Sequence, residues 1–281
     1  MQKNNSIYLI SIFMIFSSLM VSPMVAFAAA GKPTSNGDIL NKSDVDYSAG
    51  ANKMRGYVAF KEDGDKTSGV KKPGILIVHD WMGLADFQKN KADQLANDGF
   101  VAMAVDIYGV GVRPKNMEEA GKLATKYKSD IPLLRSHIRA AYDKLVAMPN
   151  VDPNKIIVMG YCFGGTTALE LARSGVPLAG TASFHGGLAT PNSKDAKNIK
   201  GKLLVMHGAI DPYVPAKEVA AFKKEMKDAK VQMEFIEYPG AVHAFTNPMA
   251  GDDIKAGAAY NADADRKSWV DFTNFVKSII K

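Results

Sequence analysis

The chain has 281 residues, of which 47% are hydrophobic, and its 35 Lys and Arg against 29 Asp and Glu give a formal net charge of +6. This composition is typical of a soluble globular protein, and the length suffices for one substantial core. The basic residues are scattered instead of forming a focused face, which argues against nucleic acid as a partner.

The N-terminus has the pattern of a secretory signal. Lys3 gives a positive start, residues 7–25 are almost all apolar or small, and an A-x-A pattern ends at Ala28. We therefore predict a signal peptide over 1–28, with cleavage after Ala30 as the alternative. The mature protein is expected to be periplasmic or secreted, without stable membrane association. An uncleaved anchor is the competing interpretation, since the apolar run approaches spanning length.

Residues 29–53 are polar or small and predict an extended lead-in to a single domain over 54–281. In that domain, apolar runs of strand length alternate with stretches of helical spacing. The predicted strands occupy 54–60 (an edge strand), 74–79, 100–105, 155–160, 178–184, 202–208 and 231–240. The predicted helices occupy 87–97, 118–128, 133–148, 164–173, 215–229 and 263–280. The alternation predicts an α/β architecture, a mostly parallel central sheet with helices on both faces.

Residues that follow strands deserve most weight, because ligands bind beyond the carboxyl ends of strands in such sheets. They are His79, Asp80, Trp81, Asp106, Tyr108, Cys162, His185, His207, Asp211 and His243.

The single cysteine of the chain stands in the turn Gly160-Tyr161-Cys162-Phe163-Gly164, between a predicted strand and a predicted helix. A tight G-x-C-x-G turn of this kind forces its central residue into a strained, exposed position that suits a nucleophile. A lone thiol has no internal disulfide partner, which is unusual in an exported protein. A small buried hydrophobic residue is the alternative interpretation.

Two further motifs follow Cys162 along the chain, and their order matters for the prediction of a catalytic triad. "HGAIDPYVP" places Asp211 after the penultimate strand, and "YPGAVHAF" places His243 after the last one. Nucleophile, acid and base in this order predict a triad in which His243 takes the proton of Cys162 and Asp211 orients the imidazole. A turn-initiating aspartate and an ordinary loop histidine are the alternatives, which the joint occurrence makes less favoured.

The motifs "GYCFGG", "HGAIDP", "GAVHAF", "IVHDWMGL" and "VDIYG" together resemble the dienelactone hydrolases, a family with the α/β-hydrolase fold. The resemblance spans about Gly56 to Lys281. It implies cysteine-dependent hydrolysis of an ester or lactone without a cofactor, with the backbone N–H groups of Trp81 and Phe163 as the oxyanion hole. The family commonly has a glutamate at the position of Asp80, where it helps the thiol to ionise. The shorter Asp80 puts that contact in question.

Substrate contacts are predicted less specifically. Arg113 and Lys115 either bind a substrate carboxylate or are solvated loop charges. Tyr108 and Phe245 either line the pocket or pack in the core. Three other histidines, without metal-ligand spacing, are expected to be structural hydrogen-bonding groups, with a place in the lining of the site as the alternative: His137, His185 and His207.

Three functional hypotheses follow. The leading one is an exported, monomeric cysteine hydrolase that cleaves a small-molecule ester or lactone through a thioester. The second keeps this machinery but acts on a simple carboxylester or thioester. The third is a non-catalytic binding protein on a hydrolase scaffold, which the change from glutamate to Asp80 leaves open.

Overall fold

The computed structural model describes residues 39–62 and 69–280. The signal peptide predicted over 1–28 lies outside these residues, as does the beginning of the predicted lead-in. No helix in the described ranges is long and apolar enough to cross a membrane.

The described residues form one sheet of eight strands. The strands are β1 (Leu40–Ala49), β2 (Asn52–Lys61), β3 (Lys72–Val78), β4 (Val101–Val105), β5 (Val151–Tyr161), β6 (Gly180–Phe184), β7 (Lys202–Gly208) and β8 (Met233–Tyr238). Their order is β1-β2-β4-β3-β5-β6-β7-β8. β2 pairs antiparallel with β1 and with β4, and every other pairing is parallel. The mostly parallel sheet predicted from the sequence is thus confirmed.

Helices cover both faces of this sheet. They are α1 (Asp86–Asn97), α2 (Met117–Ser129), α3 (Ile131–Val146), α4 (Phe163–Arg173), α5 (Ala216–Asp228) and α6 (Ala262–Ile279). Side chains of α1 and α6 share one core cluster, and those of α2 to α5 share the other. Successive residues of β3 alternate between the two clusters: Leu76 and Val78 face one, and Ile75 and Ile77 the other. Both faces are therefore buried, which explains the uninterrupted apolar run.

The start of the domain differs from the prediction. Residues Leu40–Ala49, placed by the sequence in an extended lead-in, form the edge strand β1, so β2 is an interior strand. Val45 and Tyr47 bury their side chains from β1, and most of its other residues are exposed or partly exposed. A strand with so few buried apolar residues gives little signal against a polar background, which explains the error.

Candidate active site

The turn that carries Cys162 is a tight reversal between β5 and α4. Cys162 has φ 54° and ψ −115°, a backbone conformation that L residues rarely adopt. Glycines flank it because there is no room for side chains. A Cβ on Gly160 would collide with the Gly164 carbonyl, and one on Gly164 would lie 2.6 Å from the His79 carbonyl oxygen. The close approach at Gly164 brings the start of α4 against the end of β3.

Backbone hydrogen bonds hold this strained conformation. The N–H of Cys162 is shared between the carbonyl oxygen of Phe184, at 3.0 Å, and Nδ1 of His185, at 3.2 Å. Its carbonyl oxygen accepts from the N–H groups of Gly165 and Thr166 in the first turn of α4. The nucleophile position is therefore tied to β6 on one side and to α4 on the other.

Asp211 lies in the loop after β7, and its carboxylate is buried. Oδ1 accepts the backbone N–H of Tyr213 at 2.8 Å, which leaves Oδ2 to face His243. The loop closes because Gly208 has no side chain: a Cβ there would lie 2.6 Å from the carbonyl oxygen of Val242, in the loop that carries His243.

His243 follows β8 and joins the other two residues. Its Nδ1 lies 2.8 Å from Asp211 Oδ2, and its Nε2 lies 3.0 Å from Cys162 Sγ. A carboxylate oxygen only accepts, so Nδ1 carries the proton in that bond. The backbone of His243 is fixed as well, because it exchanges hydrogen bonds with Gly257 and Ala259. The structure thus brings the three predicted residues into one hydrogen-bonded chain.

The electrostatics of these three hydrogen-bonded residues favour a charged imidazole on His243. Burial alone would lower the pKa of His243, but the hydrogen bonds and negative charges of Asp211 and Cys162 outweigh it and raise the pKa to about 10.

The two predicted oxyanion donors lie at the start of α4 and just after β3, two elements that meet at Gly164. Phe163 is the first residue of α4, directly after Cys162, and Trp81 follows the end of β3. Among the described residues, no acceptor is bonded to the backbone N–H of either one. The N–H at a helix N-terminus also has the favourable end of the helix dipole behind it. Both groups are thus available to an anionic oxygen.

Asp80 makes a different contact from the one proposed for it. Its Oδ1 accepts the N–H of Met82 at 2.7 Å, and no hydrogen bond within the described ranges joins it to Cys162. Burial raises the pKa of the Asp80 carboxyl. The structure therefore gives Asp80 no direct contact through which to ionise the thiol.

Two aromatic residues predicted as possible pocket-lining groups are buried instead. Phe245 is fully buried and packs against the rings of His185 and Tyr238, at 5.0 and 5.3 Å between centroids. Tyr108 is also buried, and its hydroxyl donates to the carbonyl oxygen of Trp81 at 3.0 Å. Both predictions of a lining role are corrected to packing roles. The reason is that both rings pack among other aromatic side chains, as Tyr108 does against His79 and Phe163.

The predicted substrate arginine is held within its own loop. Nη1 of Arg113 donates to Asp106 Oδ1 at 3.3 Å, to the carbonyl oxygen of Gly109 at 3.2 Å and to that of Val112 at 2.6 Å. Its side chain remains partly exposed. Lys115 is exposed in the same loop.

The other histidines divide into two kinds. Nδ1 of His137 donates to the carbonyl oxygen of Ile107 at 2.7 Å, and Nε2 lies 3.1 Å from the amide of Asn52, as expected of a structural group. His207 packs on Phe235, but its Nδ1 is buried without a hydrogen-bond partner among the described residues. The same part of the chain holds no group of three or more side chains arranged to bind a metal ion.

Two histidines make contacts at the site that were not predicted from the sequence. His185 accepts the Cys162 N–H at Nδ1 and donates from Nε2 to Thr246 Oγ1 at 2.8 Å, so it links the nucleophile turn to the loop of His243. His79 bonds to the carbonyl oxygen of Asp80 at 2.5 Å. Their only sequence signal is their position at strand ends, because their partners are backbone atoms or a distant hydroxyl.

Comparison with known proteins gives a consistent result. The model of the dienelactone hydrolase family matches residues 54–280. "Protein usf" of Aquifex pyrophilus is 30% identical over 74% of this chain and 88% of its own length. A protein of Aquifex aeolicus named "Putative carboxymethylenebutenolidase" is 27% identical over 84% of this chain and 98% of its own.

A solved structure gives the same result. A dienelactone hydrolase-like promiscuous phosphotriesterase from metagenomic libraries matches with a TM-score of 0.79 and 35% identity. The match covers 86% of this chain and 99% of that one.

Proposed function

The chain belongs to the dienelactone hydrolase family, and from this premise we propose that it is an exported cysteine hydrolase that cleaves an ester or lactone through a thioester. The observation that carries the proposal is the continuous chain Cys162 Sγ, His243 Nε2, His243 Nδ1 and Asp211 Oδ2, with steps of 3.0 and 2.8 Å across the hydrogen bonds. Nucleophile, base and orienting acid within such distances are the arrangement that acyl transfer needs.

The first half of the reaction forms the thioester. The sulfur of Cys162, its proton held on His243, attacks the carbonyl carbon of the substrate. The carbonyl oxygen gains charge and receives the N–H groups of Phe163 and Trp81. When the tetrahedral intermediate collapses, the bond to the ester oxygen breaks and His243 gives its proton to that oxygen. In a lactone the released hydroxyl stays attached to the acyl group.

The second half hydrolyses the thioester. His243, now neutral, removes a proton from water as the water attacks the thioester carbon. The same two N–H groups receive the second oxyanion. Collapse expels Cys162 as thiolate, leaves the proton on His243 and releases a carboxylic acid. Asp211 keeps the imidazole in one tautomer throughout and balances its positive charge.

The substrate class follows from the family and from the charges at the site. Family membership supports a lactone or another carboxylic ester of a small molecule. Arg113 was predicted as a candidate to bind a substrate carboxylate, yet its Nη1 already donates to three acceptors within the protein. Within the described ranges, its N–H groups on Nε and Nη2 are left for a substrate carboxylate. An anionic lactone, a neutral ester, a simple carboxylester and a thioester all stay within the proposal.

A phosphotriester is a second candidate substrate. It is favoured by the 35% identity to a protein described as a promiscuous phosphotriesterase, which this chain matches over 99% of that protein's length. The same sulfur would attack phosphorus, the oxyanion donors would receive the phosphoryl oxygen, and the aryloxide would leave with the proton of His243. Water, deprotonated by the now neutral His243, would then cleave the sulfur–phosphorus bond and release the phosphodiester and the Cys162 thiolate.

The test is a substrate panel on the protein lacking residues 1–28, with Cys162→Ala as the control. The panel contains a cyclic dienelactone, a short-chain aryl ester, an aryl thioester and a neutral aryl phosphotriester. We expect hydrolysis of a carboxylic ester or lactone that Cys162→Ala loses by at least about a thousandfold. Absence of any hydrolysis, together with slow alkylation of Cys162 by iodoacetamide, would instead support a binding protein on a hydrolase scaffold.

Export is tested separately. The proposal predicts that cells expressing residues 1–281 place a protein beginning at Ala29 or Gly31 in the periplasm or the medium. Recovery of the uncleaved chain in the membrane fraction would contradict it.

A further inference from the structure

We propose that His79 is a positioning residue for the oxyanion hole, because its ring holds the carbonyl of the peptide group whose N–H belongs to Trp81. The proposal rests on the function proposed above. It adds a residue that does not touch the substrate but controls the direction of one of the two donors.

The hydrogen bonds of His79 define its tautomer. Nδ1 lies 2.5 Å from the carbonyl oxygen of Asp80, and a carbonyl oxygen only accepts, so Nδ1 carries a proton. Nε2 receives the backbone N–H of Ile107 at 3.1 Å, so Nε2 has none. The imidazole is therefore neutral, with its single proton aimed at Asp80. Burial lowers the pKa of His79 to about 4, which keeps the ring in this state at neutral pH.

The carbonyl that His79 holds shares a peptide plane with the Trp81 N–H. In a planar trans peptide the C=O and the following N–H point in opposite directions. Fixing the Asp80 oxygen on one side therefore fixes the direction of the Trp81 N–H on the other. A hydrogen bond to the carbonyl also polarises the amide, which strengthens the N–H as a donor.

Packing keeps the ring in place. His79 is fully buried, and its ring makes an edge contact with Tyr108 at 4.8 Å and stacks on Phe163 at 5.9 Å. Phe163, whose backbone N–H is the other predicted oxyanion donor, thus packs its side chain on the ring that bonds to the Asp80 carbonyl. The Ile107 N–H comes from the loop after β4, which adds a third anchor.

Other contacts to this loop do not replace the bond from His79. The N–H of Gly83 also reaches the Asp80 carbonyl oxygen, but at 3.3 Å. The hydroxyl of Tyr108 donates to the Trp81 carbonyl, which belongs to the next peptide plane. His79 is thus the one side chain in the described ranges that bonds to the oxygen of the Asp80–Trp81 peptide.

The oxyanion hole serves acyl transfer but not alkylation of the thiol, and this difference gives the test. The experiment compares His79→Asn and His79→Leu with the unchanged protein, in the form lacking residues 1–28. Each is assayed for kcat and KM on the best ester of the panel and for the rate of Cys162 alkylation by iodoacetamide. Asparagine places an amide N–H close to the position of Nδ1, whereas leucine fills space without a donor.

We expect His79→Leu to lower kcat by about 10- to 100-fold with KM and the alkylation rate within about threefold. For His79→Asn we expect a higher kcat than for His79→Leu. Its log kcat should lie at least about a third of the way from the His79→Leu value to that of the unchanged protein. Tyr108→Phe, which removes a bond to the neighbouring peptide, serves as the matched control and should have a smaller effect than His79→Leu.

Two results would overturn the proposal. One is an unchanged kcat in His79→Leu. The other is a parallel fall of kcat and alkylation in both His79 variants, which indicates a general disturbance of the site. If His79→Leu does not fold, His79→Met, which also fills space without a donor, takes its place in the same comparison. An unchanged protein that hydrolyses no ester would instead contradict the function proposed above, so the two failures are distinct.

Discussion

Nδ1 of His185 accepts the backbone N–H of Cys162 at 3.2 Å, although these two residues belong to different strand ends. The other ring nitrogen donates to Thr246 Oγ1, three residues after His243. Burial, and next the charge of His243, lower the pKa of His185 well below its ordinary value. A neutral histidine thus lies beneath the charged one, at 5.2 Å between ring centroids, and connects the two loops that must stay aligned.

We predict that replacing His185 disturbs this alignment by a moderate amount. His185→Leu removes both hydrogen bonds, while the Cys162 N–H keeps its bond to Phe184. The expected loss in kcat/KM is about tenfold, the value of one or two neutral hydrogen bonds. His185→Asn keeps an acceptor near Nδ1 and should lose less. Steady-state kinetics of the two variants test this, and equal losses would contradict the importance of the Cys162 N–H.

Asp211→Asn is predicted to lower kcat/KM by about 10² to 10⁴-fold with little change in stability. The amide keeps the size of the side chain and its bond to the Tyr213 N–H. It lacks the charge that helps to raise the pKa of His243. Steady-state kinetics measure the loss of activity, and a thermal melt measures the change in stability. A loss of less than threefold would show that Asp211 does not act through His243.

Gly164→Ala is predicted to destabilise the protein by about 1–3 kcal/mol, because its new Cβ would press on the carbonyl groups of Val78 and His79. The matched control is Gly121→Ala in α2, where the nearest atom would be a ring carbon of Trp81 at 4.0 Å. That change should stabilise by about 0.5–1 kcal/mol, since alanine favours the helix. Urea unfolding of both variants measures the difference. Equal stabilities would contradict the close packing of α4 against β3.

Acid is predicted to destabilise the protein partly through His79. Its pKa is lowered in the folded state to about 4 from 6.5, so between these values the unfolded chain binds more protons. The contribution of His79 to the free energy of unfolding is fully present above pH 6.5. It is lost as the pH falls towards 4, and the loss amounts to about 3 kcal/mol. His79→Asn lacks this group.

Urea titrations at pH 7 and pH 4 should therefore show a smaller acid loss in His79→Asn than in the unchanged protein. Identical losses would mean that His79 is not held neutral by the fold.

The central strands and the order of the triad were predictable because each leaves a local signal. β3 is a continuous apolar run, and Cys162, Asp211 and His243 each follow a strand. β1 was not recognised, since its polar sequence LNKSDVDYSA has only two well-buried apolar side chains.

The inner surroundings of the site were not predictable for a different reason. Tyr108 and Phe245 follow strands as ligand-binding residues do, and only the tertiary fold shows that both are buried. The partners of His79 and His185 include the backbone N–H groups of Ile107 and Cys162, which neighbouring parallel strands bring close although they are distant in sequence. No spacing along the chain encodes such contacts.

The role of Cys162 is tested most directly by trapping the acyl group. The protein lacking residues 1–28 is mixed with a slowly hydrolysed aryl ester, quenched in acid, and its intact mass and peptides are measured. We predict a mass increase that corresponds to acylation, located on Cys162, absent from Cys162→Ala and lost at the rate of turnover. Hydrolysis by Cys162→Ala at the rate of the unchanged protein, or an acyl group on another residue, would contradict it.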